Sequence, residues 1–289
     1  MRNYSISRVF LMLITTTFNT VVSLAQTPSQ HSSTFPVNGT VDKHLVRTVL
    51  ENATVHVDEN TVIVNGTVVL FRGLIESVGT PEEVVVNGPA IRLDMSGYHL
   101  YPSFVDLNSS FGLPKVKPAE WSRKPQYESD KKGAYGWNQA IRPEINSAEA
   151  FTVDAKKSKE YRTAGIGAML VHIPDGISRG TGSLVMPVDN PRDAMLRPEA
   201  SAHFSFRKGS SQQNYPSSLM GSTALLRQTY YDALWYSEAS PLGLAGGTNL
   251  SLEAFNSNSS LPQIFSAGSW KDILRATTVG DEFEVNYIV

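Results

Sequence analysis

Six histidines are the side chains of this sequence best suited to chemistry, because imidazole titrates near neutral pH and binds zinc-like ions as a neutral ligand. Their spacing argues against a local ligand pair: none stands two or four positions from another. His31 and His44 fall in a polar leader, His56 and His99 in a β-branched region, and His203 beside Phe204 in an aromatic run. His172 lies near the end of the apolar run at 165–173, a buried-strand pattern. It is a candidate catalytic or ligand group there, although a single histidine on an apolar strand is more often a hydrogen-bonded core or rim residue. The segment 176–183 is rich in glycine and carries Arg179. Such a loop can hold an anion on its backbone N–H groups. It lacks the lysine of a nucleotide-binding loop, and residues 184–187 continue as strand, so a tight turn is the expected form. The absence of cysteine rules out disulfides, thiolate ligands, a cysteine nucleophile and lipidation at cysteine. Ser217 and Ser218 lack the flanking glycines of a nucleophile elbow.

The elements that must position these groups follow from composition and pattern. The chain has 289 residues, 41% of them hydrophobic, enough apolar surface for a core. Its formal charge of -2 supplies no basic field for nucleic acid or anionic membrane. The lysines and arginines between 115 and 132 are interrupted by Glu120, Glu128 and Asp130, the pattern of a solvated loop. Arg2 and Arg8, the apolar run 9–14 and Ser23-Leu24-Ala25 form a signal peptide over 1–25, which predicts an exported, periplasmic or extracellular protein. No later run is long enough for a stable membrane span. Residues 26–44 read as a flexible leader.

From 45 to 100 the chain alternates in short β-branched runs punctuated by Asn65-Gly66 and Arg72-Gly73, the form of antiparallel hairpins. Residues 111–143 form a long proline-rich excursion, either a lid presenting Trp121, Tyr127, Tyr135 and Trp137 or a surface loop anchored by those aromatics. A helix over 148–164 leads into the strand at 165–173, the alternation of a parallel barrel. Ser217 is the expected N-cap of a second helix with Leu219, Thr223, Leu226, Tyr230 and Leu234 on one face. A strand at 262–265, a helix at 270–277 and a strand at 284–289 complete the pattern.

The stretch Tyr101-Pro102-Ser103-Phe104-Val105-Asp106-Leu107-Asn108-Ser109-Ser110 resembles the amidohydrolase-superfamily signature Pro-Gly-Phe-Ile-Asp-x-His-x-His. Ser103 takes the second position, and Asn108 and Ser110 take the two histidine positions. Asn65-Gly66-Thr67-Val68, Gly73-Leu74-Ile75-Glu76-Ser77-Val78-Gly79 and Asp94-Met95-Ser96-Gly97 are similar to the β-sandwich that precedes that barrel, nearest the imidazolonepropionase-like branch. The resemblance implies an α/β fold with a small all-β part: a β-sandwich over 45–100, then an incomplete TIM-like (β/α) barrel over 101–289. An eightfold barrel takes about 250 residues, and 189 follow Leu100. For intact members it implies a divalent metal such as zinc and hydrolysis of C–N bonds in small amide, cyclic amide or peptide-like substrates. Asp106 matches the family's aspartate beside the site and, with His172, is a catalytic candidate. An amide oxygen and a hydroxyl are poor zinc ligands, so no cofactor is expected in this segment. The expectation is a scaffold that is not catalytic alone, with activity in a missing C-terminal region. The alternative is a non-catalytic binding module that uses Trp121, Trp137 and nearby aromatics.

Overall fold

The structure, a computed structural model, describes residues 46–117 and 125–289. The signal peptide, leader, His31, His44 and Trp121 of the sequence reading lie outside the described residues. The chain divides into two compact units, one ending at Leu100 and one beginning at Tyr101.

The first unit is a five-stranded sheet. Strands β1 (Arg47–His56), β2 (Val62–Phe71) and β3 (Leu74–Gly79) pair antiparallel. Arg72 and Gly73 both have positive φ, 52° and 76°, and so form a two-residue turn whose twist suits a hairpin. Asn65-Gly66 does not reverse the chain, contrary to expectation. Asn65 takes a φ of 55° inside β2, opposite a register shift in β1. The turn-forming conformation is used for a bulge, and Gly66 lies under Val55, where a Cβ would stand 2.9 Å from Cγ2. The reversal falls at 57–61, where the Asp58 carboxylate accepts from the Asn60 and Thr61 amides. Strands β4 (Ala90–Asp94) and β5 (His99–Leu100) run parallel to β1, so the expected all-antiparallel block is corrected to a mixed sheet. Residues 80–89 carry the chain back along the sheet before β4, and a parallel partner requires that crossover.

The second unit is built on a mixed six-stranded sheet in the order β11-β10-β9-β8-β7-β6. Its strands are β6 (Phe104–Ser109), β7 (Ile166–Val171), β8 (Ser178–Val185), β9 (Met195–Ser205), β10 (Gln263–Ser266) and β11 (Tyr287–Ile288). β6 is parallel to β7, and β9, β10 and β11 are parallel to one another. β8 is antiparallel to both neighbours. The links flanking β8 are too short for a crossover helix, so the βα alternation expected along this stretch is interrupted. Of the segment 176–183, expected as a tight turn, only its start at Gly176 turns, beside Asp175; residues 178–183 are buried strand.

The helices are α1 (Ser147–Ala150), α2 (Ala155–Thr163), α3 (Pro191–Ala194), α4 (Leu219–Ala239), α5 (Leu250–Asn258) and α6 (Trp270–Phe283). The single helix expected over 148–164 is two, because Asp154 caps α2 through the Lys157 amide and Phe151 ends α1 in extended backbone. Ser218, one residue past the expected cap, accepts from the Gly221 amide and opens α4. α4, α5 and α6 bring Leu226, Tyr230, Phe255, Ala276 and Val279 into one core with Phe204 of β9 and Phe265 of β10. Rings in this core meet edge to face, as in Phe204–Phe255 and Phe265–Tyr287.

Phe111 packs at the start of the excursion against Phe151 and Tyr161, and from Gln126 onward polar groups anchor it. Buried Gln213 donates to the carbonyls of Gln126 and Glu128 and accepts from the Gln139 amide. Lys131 reaches Glu144 at 2.7 Å and the Ile141 carbonyl at 2.8 Å. Tyr127, Tyr135 and Trp137 stay exposed, which corrects the expectation of an aromatic anchor.

Candidate functional site

The C-terminal ends of β7, β9 and β10 and the start of antiparallel β8 meet at one edge of the sheet. β9 alternates there. Ala202, Phe204 and Phe206 pack into the helix-covered core, leaving Ser201, His203 and Ser205 for the opposite face. That face is buried as well, so each polar group on it needs a partner or carries a desolvation cost.

His172 and His203, 3% and 1% exposed, lie face to face with ring centroids 3.8 Å apart and planes within 6°. His203 Nε2 is 2.8 Å from Ser201 Oγ. His172 Nε2 lies 3.5 Å from Arg179 Nη1, and since guanidinium only donates, this nitrogen accepts and the His172 proton sits on Nδ1. The Nδ1 atoms of both rings have no partner among the described residues. Burial, with the Arg179 charge beside it, depresses the His172 pKa to about 4. Burial and then the neighbouring His172 and Arg179 depress that of His203 to about 2. Both rings are therefore neutral at ordinary pH.

Arg179 is held by its own turn. Its Nε donates to the Gly176 carbonyl at 3.1 Å and its Nη1 to Ser266 Oγ at 3.1 Å. Asp175 is spent elsewhere: Arg142 pairs with it, and Ser210 donates to it from backbone and hydroxyl at 2.6 Å each. The glycines of β8 make room for this packing. A Cβ on Gly182 would stand 2.4 Å from His203 Nε2, and one on Gly180, whose φ is 81°, 1.9 Å from the Ile145 carbonyl. Residues 141 and 146 bridge to β8 beyond the last β7 pair, so the end of the excursion and the residues after it replace β7 there.

Of the residues singled out from sequence, His172 and Arg179 belong to this cluster. Asp106 is half-buried on β6, where its Oδ1 accepts from the Asn108 amide at 3.0 Å. Asn108 and Ser110 are exposed. Among the described residues no three His, Asp or Glu side chains converge to hold a metal ion. The divalent ion implied by the resemblance does not fit what the strand ends present: two imidazoles stacked on each other, with a guanidinium alongside. Sequence reasoning missed His203, Ser266 and Gln213. The alternation Ser201-Ala202-His203-Phe204-Ser205-Phe206 was the available signal, a half-polar strand inside a buried run. Nearby, Lys132, Tyr135, Arg142, Glu149 and Ile173 line a cleft of about 620 Å³.

No family model and no curated protein matches the chain. Among solved structures it is similar to an amidohydrolase from Thermotoga maritima, at 20% identity and a TM-score of 0.63, over 83% of this chain and 63% of that one. A prolidase crystallised with N-methylphosphonate-L-proline aligns at 13% identity and a TM-score of 0.32, over 81% of this chain and 59% of that one, a likeness too weak to support an argument. The first comparison concerns the fold alone: this chain has the α/β fold of that amidohydrolase and spans 63% of its length.

Proposed function

We propose that this chain is the N-terminal part of an exported amidohydrolase-type protein and that it does not hydrolyse C–N bonds unaided. The β-sandwich and incomplete barrel of the sequence reading belong to this proposal, as does a catalytic region beyond residue 289. The donor chemistry at the strand ends carries the reading. An amide and a hydroxyl occupy 108 and 110, while the buried histidines stack beside a guanidinium that repels a cation. The length shared with the solved amidohydrolase supports it further. The test is to incubate the purified chain with N-acyl amino acids and a cyclic amide, with added zinc and with a chelator. The expected result is no metal-dependent turnover. Turnover that zinc supports and chelation abolishes would overturn the reading.

A second reading, a non-catalytic binding module, is favoured by the exposed Tyr127, Tyr135 and Trp137 on a segment pinned by Gln213, with Tyr135 lining the 620 Å³ cleft. Aromatic faces held on a fixed backbone are a low-entropy contact surface. Tryptophan fluorescence that shifts on ligand addition in the wild type but not in Trp137→Ala would single out this reading.

A further inference from the structure

A charge taken out of water normally finds a counter-charge, because leaving it unpaired costs several kcal/mol. Arg179 departs from this rule. It is 7% exposed, it meets a carbonyl, a hydroxyl and a neutral imidazole, and no carboxylate lies within ion-pair distance among the described residues. The nearby Asp175 is already committed to Arg142 and Ser210. A second cation stands close. Arg207, just past the end of β9, is exposed; a Cβ on Gly268 would lie 3.8 Å from its Nη2 and 3.7 Å from Asp272 Oδ2. That Asp272 carboxylate also accepts from the Ser269 hydroxyl and from Arg275. Burial is the first cause that lowers the Arg179 pKa, to about 10; Asp175 opposes the shift and Arg207 adds to it. Two guanidinium groups thus lie close enough to act on each other, one buried and one exposed, while the nearby Asp175 and Asp272 are each bonded to another arginine.

The geometry points to a small-oxyanion site at the C-terminal strand ends, in which Arg179 is the buried anchor, Arg207 the gate-side cation and Ser266 a neutral donor. The ligand class is a small molecule bearing a carboxylate or phosphate group, since the planar fork of arginine matches two oxygens at once. This goes beyond the absence of unaided hydrolysis and holds whether or not the chain hydrolyses anything.

The test is the thermal midpoint of the whole chain in sodium acetate, sodium phosphate and sodium chloride at equal pH and ionic strength. Acetate or phosphate should raise the midpoint with concentration beyond chloride, and the stronger of the two identifies the oxyanion. Arg207→Gln, at an exposed position, should keep the fold and weaken the response about tenfold in apparent Kd; Arg179→Lys should weaken it at least as much. If Arg179→Lys does not fold, Arg207→Gln decides the matter alone. Equal midpoints in all three salts, or an unchanged oxyanion response in Arg207→Gln, would overturn the proposal.

Discussion

Two imidazoles stacked 3.8 Å apart beside a guanidinium form an arrangement that only neutral rings tolerate. The consequence is a pH dependence with a definite sign. Both histidines have pKa values below the ordinary 6.5, about 4 for His172 and about 2 for His203, so the unfolded chain binds protons that the folded chain refuses. Stability is complete above pH 6.5. It falls as acid is added through that value, until His172 charges in the fold near pH 4 and His203 near pH 2. His172 alone accounts for about 3 kcal/mol lost by pH 4. Denaturant titrations at pH 7, 5.5 and 4 should show this decline, and a flatter profile in His172→Gln; an equal slope in that variant would contradict the assignment. At this scale the sequence was half legible. The run at 165–173 placed His172 at a strand end, but its partner is 31 positions away, and the rings meet only because β8 pairs with both β7 and β9.

At the scale of elements, hydrophobic spacing located α4 but set its inward face wrongly. Leu226 and Tyr230 are buried as expected, whereas Leu234 is 55% exposed and the inner stripe continues through Ala233, Tyr236 and Ala239. Helical phase drifts over 21 residues, and the neighbours α5 and α6 decide which side is covered. Leu226→Ala should therefore cost about 2–5 kcal/mol, and Leu234→Ala no more than about 0.5 kcal/mol. Equilibrium denaturation of the two variants measures the contrast, and comparable losses would place the face wrongly. The bulge at Asn65 and the two-helix form of 147–163 are errors of one kind. In each, a residue read as a break or as a continuation takes its conformation from what packs on it.

At the scale of the molecule, the second unit presents an apolar outer strand. β6 is an edge of its sheet, and Phe104, Val105 and Leu107 are 71%, 55% and 63% exposed. Unpaired strand backbone beside exposed apolar side chains favours association. Light scattering of the chain should show mass rising with concentration, and Val105→Lys should shift the onset at least about tenfold upward. A monomer at all concentrations would show that this edge is covered within the chain. Among the described residues no helix is long and apolar enough to cross a membrane.

Local rules acting within a few residues determined what was readable from the order of amino acids alone. These were the β-branched runs of the first unit, the strand before His172 and the Arg72-Gly73 hairpin. Tertiary structure alone decided the partners. Strand order placed His203 under His172, left Arg179 buried with no carboxylate in ion-pair range among the described residues, and made Gln213 the anchor of a distant loop. The reason is range: backbone preference acts over a turn, while desolvation and charge act on whatever the sheet brings within a few ångströms.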